Sequence, residues 1–274
     1  MHKKVIYSLI MLLLLLGISL FSYPTISNWL AIRRQDQTIN RYEESIYGLN
    51  QEEISTLWQQ AQEHNFNRVK FIFGDPFSLA NDPSLEEEYS SIINIDGIMG
   101  YIEIPAVNIH LPIRHGVNEF AISKGVGHLP YSGIPIGGKG NHAVLTSHSA
   151  LSSAKLFTDL EKVGIGDMFY IHILGNTLIY EIDQIITVLP DNINALAPIN
   201  DEDYVTLITC TPYAINSHRL LVRGKRIFLT KEEITVYNKN NYNSINWLLI
   251  ILFITLIIGI ISLIFKFKIK SRKQ

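Results

Sequence analysis

Two long apolar runs stand out in the pattern of hydrophobic and polar positions. Residues 5–23 and 247–265 are almost wholly apolar and contain no charged side chain. Each run matches the roughly 20 residues that a helix needs to cross the hydrocarbon core of a bilayer. Basic residues precede the first run and follow the second, so the positive-inside rule places both termini in the cytoplasm. We therefore predict transmembrane helices within 1–23 and 247–265, a basic cytoplasmic tail at 266–274 and an extracellular central domain.

The first apolar run has a second interpretation, a cleaved signal peptide. No convincing small-x-small cleavage site precedes Tyr23-Pro24, so a retained anchor is favoured. The second run has no such alternative, because an apolar segment closed by a basic tail is a stop-transfer anchor.

Between the first run and about residue 66 the periodicity is helical. Asn50 is a suitable cap for a second helix that starts near Gln51. Residues 24–66 are therefore predicted to form an α-helical annex, whereas periodicity fails over 67–95 and turn signals predict a long loop. The apolar positions of the annex recur three or four residues apart: Ile39, Tyr42, Ile46, Leu49, Ile54, Leu57, Trp58 and Ala61.

After Met99, short segments rich in Ile, Val, Tyr and Thr are punctuated by Gly, Pro, Asn and Asp. A hairpin turn is predicted at Gly175-Asn176 and one helical interruption near 152–161. Seven or eight strands with little helix favour fold class β, a closed or nearly closed β-barrel over 96–232, followed by a juxtamembrane linker at 233–246. The predicted strands are 101–104, 109–113, 143–146, 168–173, 177–188, 204–209 and 220–229.

Charge and cysteine content narrow the possible functions. Without the two ends, the outer portion carries 16 basic and 25 acidic residues, a net charge of −9 that opposes nucleic-acid binding. A single cysteine cannot form an internal disulfide, so Cys210 is either an inert buried residue or a thiol whose reactivity is used. No metal-ligand spacing and no phosphate-binding glycine loop is present, so neither a metal nor a cofactor is predicted.

Cys210 stands at the end of an apolar strand and is followed by Thr211-Pro212, which stops the strand. A nucleophilic thiol needs an acid/base nearby, and His148 also follows directly on a strand end, between two serines. Periodicity alone does not separate His148 from three other histidines. These rivals are His128, His142 and His218.

Arg219 follows the cysteine by nine residues. A hairpin through 213–217 would return it beside the thiol, where a guanidinium can stabilise an oxyanion on a substrate carbonyl. Arg223 lies on the same face of that strand but further along, and an exposed structural charge is the alternative for both arginines.

The segment Thr-Leu-Ile-Thr-Cys at 206–210 resembles the Thr-Leu-x-Thr-Cys signature of sortases. Its continuation, Thr-Pro-Tyr-Ala-Ile-Asn-Ser-His-Arg-Leu-Leu-Val-Arg, resembles the class C, pilus-polymerising branch of Gram-positive bacteria. Thr-Ser-His-Ser at 146–149, with Ser-Ala-Lys-Leu-Phe at 153–157, resembles the segment that carries the family's catalytic histidine. The similarity covers most of residues 95–230.

This resemblance implies an eight-stranded sortase-type barrel in which Cys210 is the nucleophile, His148 the acid/base and Arg219 the electrophilic partner. The implied reaction cleaves a Leu-Pro-x-Thr-Gly-like sorting signal between Thr and Gly through a thioester. In class C enzymes a lysine of another pilin subunit resolves the thioester, so the implied partners are pilins with sorting signals and acceptor lysines. Asp75-Pro76-Phe77 resembles the class C lid motif, in which the aromatic ring covers the cysteine and the aspartate pairs with the arginine.

The sequence is compatible with two alternatives. One is a housekeeping sortase that attaches surface proteins to peptidoglycan, but the C-terminal apolar run resembles the class C arrangement and favours pilus polymerisation. The other is a membrane-tethered binding or scaffold domain with an idle cysteine, which predicts that no thioester forms on a sorting peptide.

Overall fold

The computed structural model describes residues 2–67, 86–192 and 194–229. Two helices, α1 (His2–Gly48) and α2 (Gln51–Asn67), precede the sheet. The short helix α3 (Glu86–Ser91) lies between α2 and the first strand, and the short helix α4 (Glu119–Lys124) lies between the second and third strands. Within the described residues, Pro105–Val107, Thr158–Lys162 and Asn194–Leu196 form 3-10 turns. The strands are β1 (Gly100–Ile104), β2 (Ile109–His115), β3 (Val126–His128), β4 (Asn141–Thr146), β5 (Met168–Ile173), β6 (Asn176–Val188), β7 (Asp203–Thr211) and β8 (His218–Ile227).

The eight strands form a closed barrel in the order β1-β2-β3-β4-β7-β8-β6-β5, which confirms the predicted architecture. Two pairs, β2–β3 and β4–β7, are parallel, and the remaining pairs are antiparallel. The parallel β4–β7 pair matters for function, because residues that follow the ends of two parallel strands lie at the same edge of a sheet.

The details differ from the sequence expectation at three places. The strand β3 was not predicted, because its three residues are all buried and show no alternation. The β5–β6 turn lies one residue earlier than expected: Ile173 pairs with Asn176, and Leu174 and Gly175 adopt φ of 49° and 74°. Helical structure in the predicted interruption is confined to the short Thr158–Lys162 turn.

The predicted helical annex is present, and it is continuous with the first apolar run in the single helix α1. Residues 9–48 of α1 are long and apolar enough to cross a membrane, judged by length and composition. The second predicted span, 247–265, lies outside the described residues. The expected cap of α2 is formed reciprocally, since Glu53 N donates to Asn50 Oδ1 (2.9 Å) and Asn50 N donates to Glu53 Oε2 (2.8 Å).

The C-terminal part of α1 is anchored to the barrel by Tyr42. Its hydroxyl donates to Met99 O (3.0 Å) and accepts from Leu174 N (2.8 Å), and its side chain is 2% exposed. Ile39 and Ile46, one turn to either side, are also buried, as the helical periodicity predicted.

Two apolar clusters lie on opposite faces of the sheet. The larger fills the barrel and includes Leu145 of β4, Leu207 of β7 and Val222 of β8. The residues next to these along each strand point to the outer face of the sheet, because side chains alternate between the two faces along a strand. The second cluster, called here the outer-face cluster, consists of Val117, Ile122, Leu129, Val144, Leu196, Ile208 and Leu221.

Candidate active site

Cys210 and Arg219 occupy directly opposite positions of the antiparallel β7–β8 pair. Directly opposite residues have Cβ atoms about 5 Å apart and point to the same face of the sheet. The preceding pair on that face is Ile208 and Leu221, both members of the outer-face cluster. The thiol and the guanidinium therefore stand together on the outer face, above a buried apolar base.

His148 enters from the neighbouring strand β4, which runs parallel to β7 with Thr146 opposite Ile208. Beyond that pair, Ser147 N donates to Ile208 O (3.2 Å) and Thr209 Oγ1 donates to Ser147 O (2.9 Å).

On the far side of His148, Ser149 Oγ donates to Cys210 O (2.6 Å). The residues on both sides of His148 are thus hydrogen-bonded to the strand that carries Cys210. This register brings together all three residues that the sequence singled out.

The imidazole of His148 has an acidic neighbour that sequence reasoning missed. Its Nε2 lies 3.1 Å from Glu119 Oε2, with the histidine side chain 25% and the glutamate side chain 74% exposed. Glu119 is the first residue of α4, whose N-cap is Asn118. The Asn-Glu pair is a recognisable helix start, but only the packed position of α4 reveals its proximity to His148.

The guanidinium of Arg219 is oriented by the turn that joins β7 to β8. Its Nη1 donates to Asn216 O (3.1 Å) and to His218 O (3.2 Å). The turn itself is closed by hydrogen bonds from Ile215 N and Asn216 N to Pro212 O, both 3.0 Å. Arg219 is therefore held by backbone acceptors of its own hairpin.

A small pocket opens beside the cysteine. Tyr213 belongs to its lining, and both Tyr213 and Ile215, two residues further along the turn, are exposed large apolar side chains. Four of the residues that line it carry hydroxyl groups next to the thiol, namely Ser149, Thr158, Thr209 and Thr211. The pocket is lined by Ser149, Thr158, Glu161, Thr209, Cys210, Thr211, Tyr213 and Leu220.

Two of the rival histidines have structural roles. His128 is fully buried, with Nδ1 2.7 Å from the Tyr89 hydroxyl and Nε2 2.8 Å from Gly133 O. His142 is also buried, with Nε2 2.7 Å from Thr206 Oγ1. Neither imidazole faces the pocket beside Cys210.

The remaining two alternatives to the predicted site residues, His218 and Arg223, lie on β8. His218 is opposite Thr211, and its Nδ1 is 2.9 Å from Ser217 Oγ. Arg223 makes a bidentate ion pair with Asp183 (2.9 and 2.7 Å), and this hydrogen-bonded carboxylate raises the pKa of the guanidinium. Its guanidinium carbon also lies 4.4 Å from the ring centroid of Tyr204. These contacts give Arg223 a structural role in the barrel.

Asp75, Pro76 and Phe77, the predicted lid residues, lie outside the described residues. Among residues 2–67, 86–192 and 194–229, no group of three or more His, Cys, Asp or Glu side chains is arranged to hold a metal ion. The described part of the site thus offers a thiol, an imidazole, a carboxylate and a guanidinium as its reactive groups.

A thiol, an imidazole and a guanidinium at the ends of neighbouring strands of a closed barrel are suited to acyl transfer through a thioester. The family model for the sortase domain matches residues 102–227. A crystal structure of sortase C from Streptococcus pneumoniae is 39% identical and covers 71% of this chain and 98% of that chain, with a TM-score of 0.67. Sortase C1 of Streptococcus agalactiae is 40% identical over 73% of this chain and 98% of that chain, also at 0.67. The chain belongs to the sortase family.

Curated relatives are more distant. Sortase A of Bacillus anthracis is 26% identical over 225 residues, which cover 82% of this chain and 96% of the relative. The pneumococcal sortase C structure is described as informative on pilin substrate specificity, and a further similar structure, 37% identical, is a pilus-related sortase C of Group B Streptococcus. As a sortase, this protein is a cysteine transpeptidase of the family that acts on surface proteins with LPXTG-type signals.

Proposed function

We propose that this protein is a class C sortase that polymerises pilin subunits, with Cys210 as nucleophile, His148 as acid/base and Arg219 as electrophilic partner. The observation that carries the site assignment is the register that sets Cys210 opposite Arg219 and ties the residues flanking His148 to β7. The 37–40% identity to sortase C structures over nearly their whole length supports the pilin-polymerising class.

In the first half of the reaction, the sulfur of Cys210 forms a bond to the carbonyl carbon of the signal's Thr. The thiol proton passes to His148, and the oxyanion that develops on the carbonyl oxygen is stabilised by the guanidinium of Arg219. The bond between Thr and Gly then breaks, and His148 returns the proton to the departing nitrogen of the Gly. The product is a thioester on Cys210.

In the second half, the uncharged amine of a pilin lysine attacks the thioester carbonyl. His148 accepts a proton from the attacking nitrogen and delivers it to the sulfur as the carbon–sulfur bond breaks. The amine replaces the sulfur on the acyl carbon, which leaves an isopeptide bond and a free thiol. Repetition with further subunits produces a covalent fibre.

Contacts of α1 support a site close to the membrane surface. Ser27 Oγ donates to Ser153 O (3.1 Å), and Lys155 N donates to Asn28 Oδ1 (2.8 Å), so α1 holds the loop that follows His148. Ser27 lies four residues beyond the apolar run 5–23, a rise of about 6 Å along a helix. A membrane-proximal site suits a substrate that is presented at the same surface.

The proposed topology extends this arrangement to both ends of the chain. Residues 1–23 form the N-terminal anchor and 247–265 a second transmembrane helix, with both termini cytoplasmic and the catalytic domain 96–232 outside. The absence of charge in both runs and the basic tail at 266–274 support this topology. A cysteine-accessibility experiment at positions introduced into 266–274 tests it, because an impermeant reagent should label the tail only after the membrane is opened.

The proposed lid consists of Asp75, Pro76 and Phe77 within the segment 67–95. On the resemblance to the class C motif, Phe77 covers Cys210 and Asp75 pairs with Arg219, each contact contributing about 1 kcal/mol. A docked pilin can displace contacts of that size through its own binding energy. Replacing Asp75 and Phe77 together with Ala should speed alkylation of Cys210 by a small thiol reagent with little change in melting temperature, and equal rates would exclude the lid.

The acceptor amine distinguishes pilus polymerisation from anchoring to peptidoglycan. The full-length protein in detergent should be given an LPXTG peptide together with equal amounts of a lysine-side-chain acceptor and a cell-wall-precursor amine. Pilus polymerisation predicts a mass-spectrometric product on the lysine side chain, whereas dominant transfer to the precursor amine would favour the housekeeping reaction. Cys210→Ala should form neither product, and this variant is the control for enzyme-independent coupling.

A further inference from the structure

The carboxylate of Glu119 lies against the ring nitrogen Nε2 of His148, at 3.1 Å. Glu119 is largely exposed, so the contact adds little to the stability of the fold. Its position is nevertheless determined by well-packed structure on both sides of the contact.

The helix that carries Glu119 is attached to the strand that carries His148. Its N-terminus is capped, because Ala121 N donates to Asn118 Oδ1 (2.9 Å). Its Ile122 belongs to the outer-face cluster, beneath the site. These two contacts determine where the first residue of α4 stands.

The end of α4 is joined to the residue before His148 by a buried hydroxyl. Ser147 Oγ contacts Gly125 O (2.6 Å) and Ile122 O (3.2 Å), and Ser147 is fully buried. Glu119 and His148 are therefore presented to each other by one packed unit of α4 and the end of β4.

We propose that Glu119 is a positioning residue that keeps the proton on Nε2 of His148 and leaves Nδ1 to exchange protons with Cys210 and the substrate nitrogen. A carboxylate can only accept a hydrogen bond, so Nε2 must be the donor in the neutral and in the charged imidazole. The same carboxylate stabilises the positive charge that His148 carries after it takes the thiol proton. This role rests on the proposed function of His148.

The test uses two variants of the full-length protein in detergent, Glu119→Ala and Glu119→Gln, with an LPXTG peptide as substrate. Loss of an orienting partner should lower kcat of Glu119→Ala about tenfold and leave KM within about twofold. Glu119→Gln keeps an acceptor oxygen without the charge that stabilises the imidazolium, so it should recover only part of the loss. Asp36→Asn is the matched control, because Asp36 makes a similar exposed contact with His110 (3.3 Å) away from the site.

The tautomer of His148 gives a second readout that does not depend on activity. In 15N spectra, with the His148 signals assigned through His148→Gln, the native protein should carry the neutral-state proton on Nε2. Glu119→Ala should show a mixture of both tautomers.

The inference is overturned if Glu119→Ala keeps native kcat and tautomer, or if Asp36→Asn lowers kcat equally. An active Cys210→Ala protein would instead refute the proposed function. The tautomer measurement still decides the role of Glu119 in that case.

Discussion

Replacing Tyr42 with Phe removes a single oxygen atom from the contact between α1 and the barrel. That oxygen accepts a hydrogen bond from Leu174 N and donates one to Met99 O. Both of these residues are almost completely buried, so water cannot take over either hydrogen bond without a structural change. The substitution therefore leaves two buried backbone groups unsatisfied while it keeps the aromatic ring in place.

The magnitude follows from the cost of an unsatisfied buried polar group, about 1–3 kcal/mol. The Leu174 N–H contributes most of this cost, because a carbonyl oxygen such as that of Met99 has a second lone pair. We expect Tyr42→Phe to lower the free energy of unfolding by about 2–3 kcal/mol. For a domain of this size, the corresponding fall in melting temperature is about 5–10 °C.

Thermal unfolding of the full-length protein in detergent, followed by circular dichroism, measures the effect. Tyr47→Phe is the matched control, since Tyr47 lies on the same helix but is 94% exposed. Tyr47→Phe should have the same melting temperature as the native protein. If Tyr42→Phe also melted within a degree or so of the control, the hydroxyl would not anchor α1 to the barrel and the reasoning from buried backbone groups would fail.

Three further predictions concern the site, the annex and pH. Arg219→Lys should lose most transpeptidation activity without losing stability, because an ammonium cannot reproduce the guanidinium fork. Arg223→Ala should lose stability and keep measurable activity. The reverse result would exchange the roles assigned to the two arginines. Asn28→Ala should lower turnover of the full-length protein by loosening the loop after His148. Asn28→Asp keeps a hydrogen-bond acceptor and should recover turnover. Equal turnover in the native protein and both variants would show that α1 does not affect the active site through this loop. Burial raises the pKa of Tyr89 and Tyr180, so their stabilising effect is complete below the unfolded-state value of about 10 and is lost as the pH rises beyond it. Melting temperatures measured from pH 9 upwards should fall, and a rise would contradict the sign.

The parts of the site that lie at strand ends could be predicted from sequence. Cys210 and Arg219 are joined by a short hairpin whose length alone determines that they return to each other, and the barrel places them opposite. His148 could be singled out only by its setting after a strand and by resemblance. Its approach to Cys210 depends on the parallel β4–β7 pairing, a contact between segments about 60 residues apart.

The features that sequence reasoning missed depend on packing. The strand β3 has three buried residues and therefore no alternation to detect. Glu119 is 29 residues from His148, and only the docking of α4 on the outer-face cluster brings the two side chains together. The structural roles of His128 and His142 were equally inaccessible, because each depends on hydrogen-bond partners from other segments.

The most direct test of the central claim is the mass of the acyl-enzyme. The full-length protein should be incubated with an LPXTG peptide without an added amine, quenched in acid and analysed by intact-protein and peptide mass spectrometry. We predict an adduct equal to the peptide portion up to its Thr, located on Cys210, sensitive to hydroxylamine and absent from Cys210→Ala. Cleavage of the peptide without any adduct on Cys210, or an unchanged adduct in the Ala variant, would contradict this prediction.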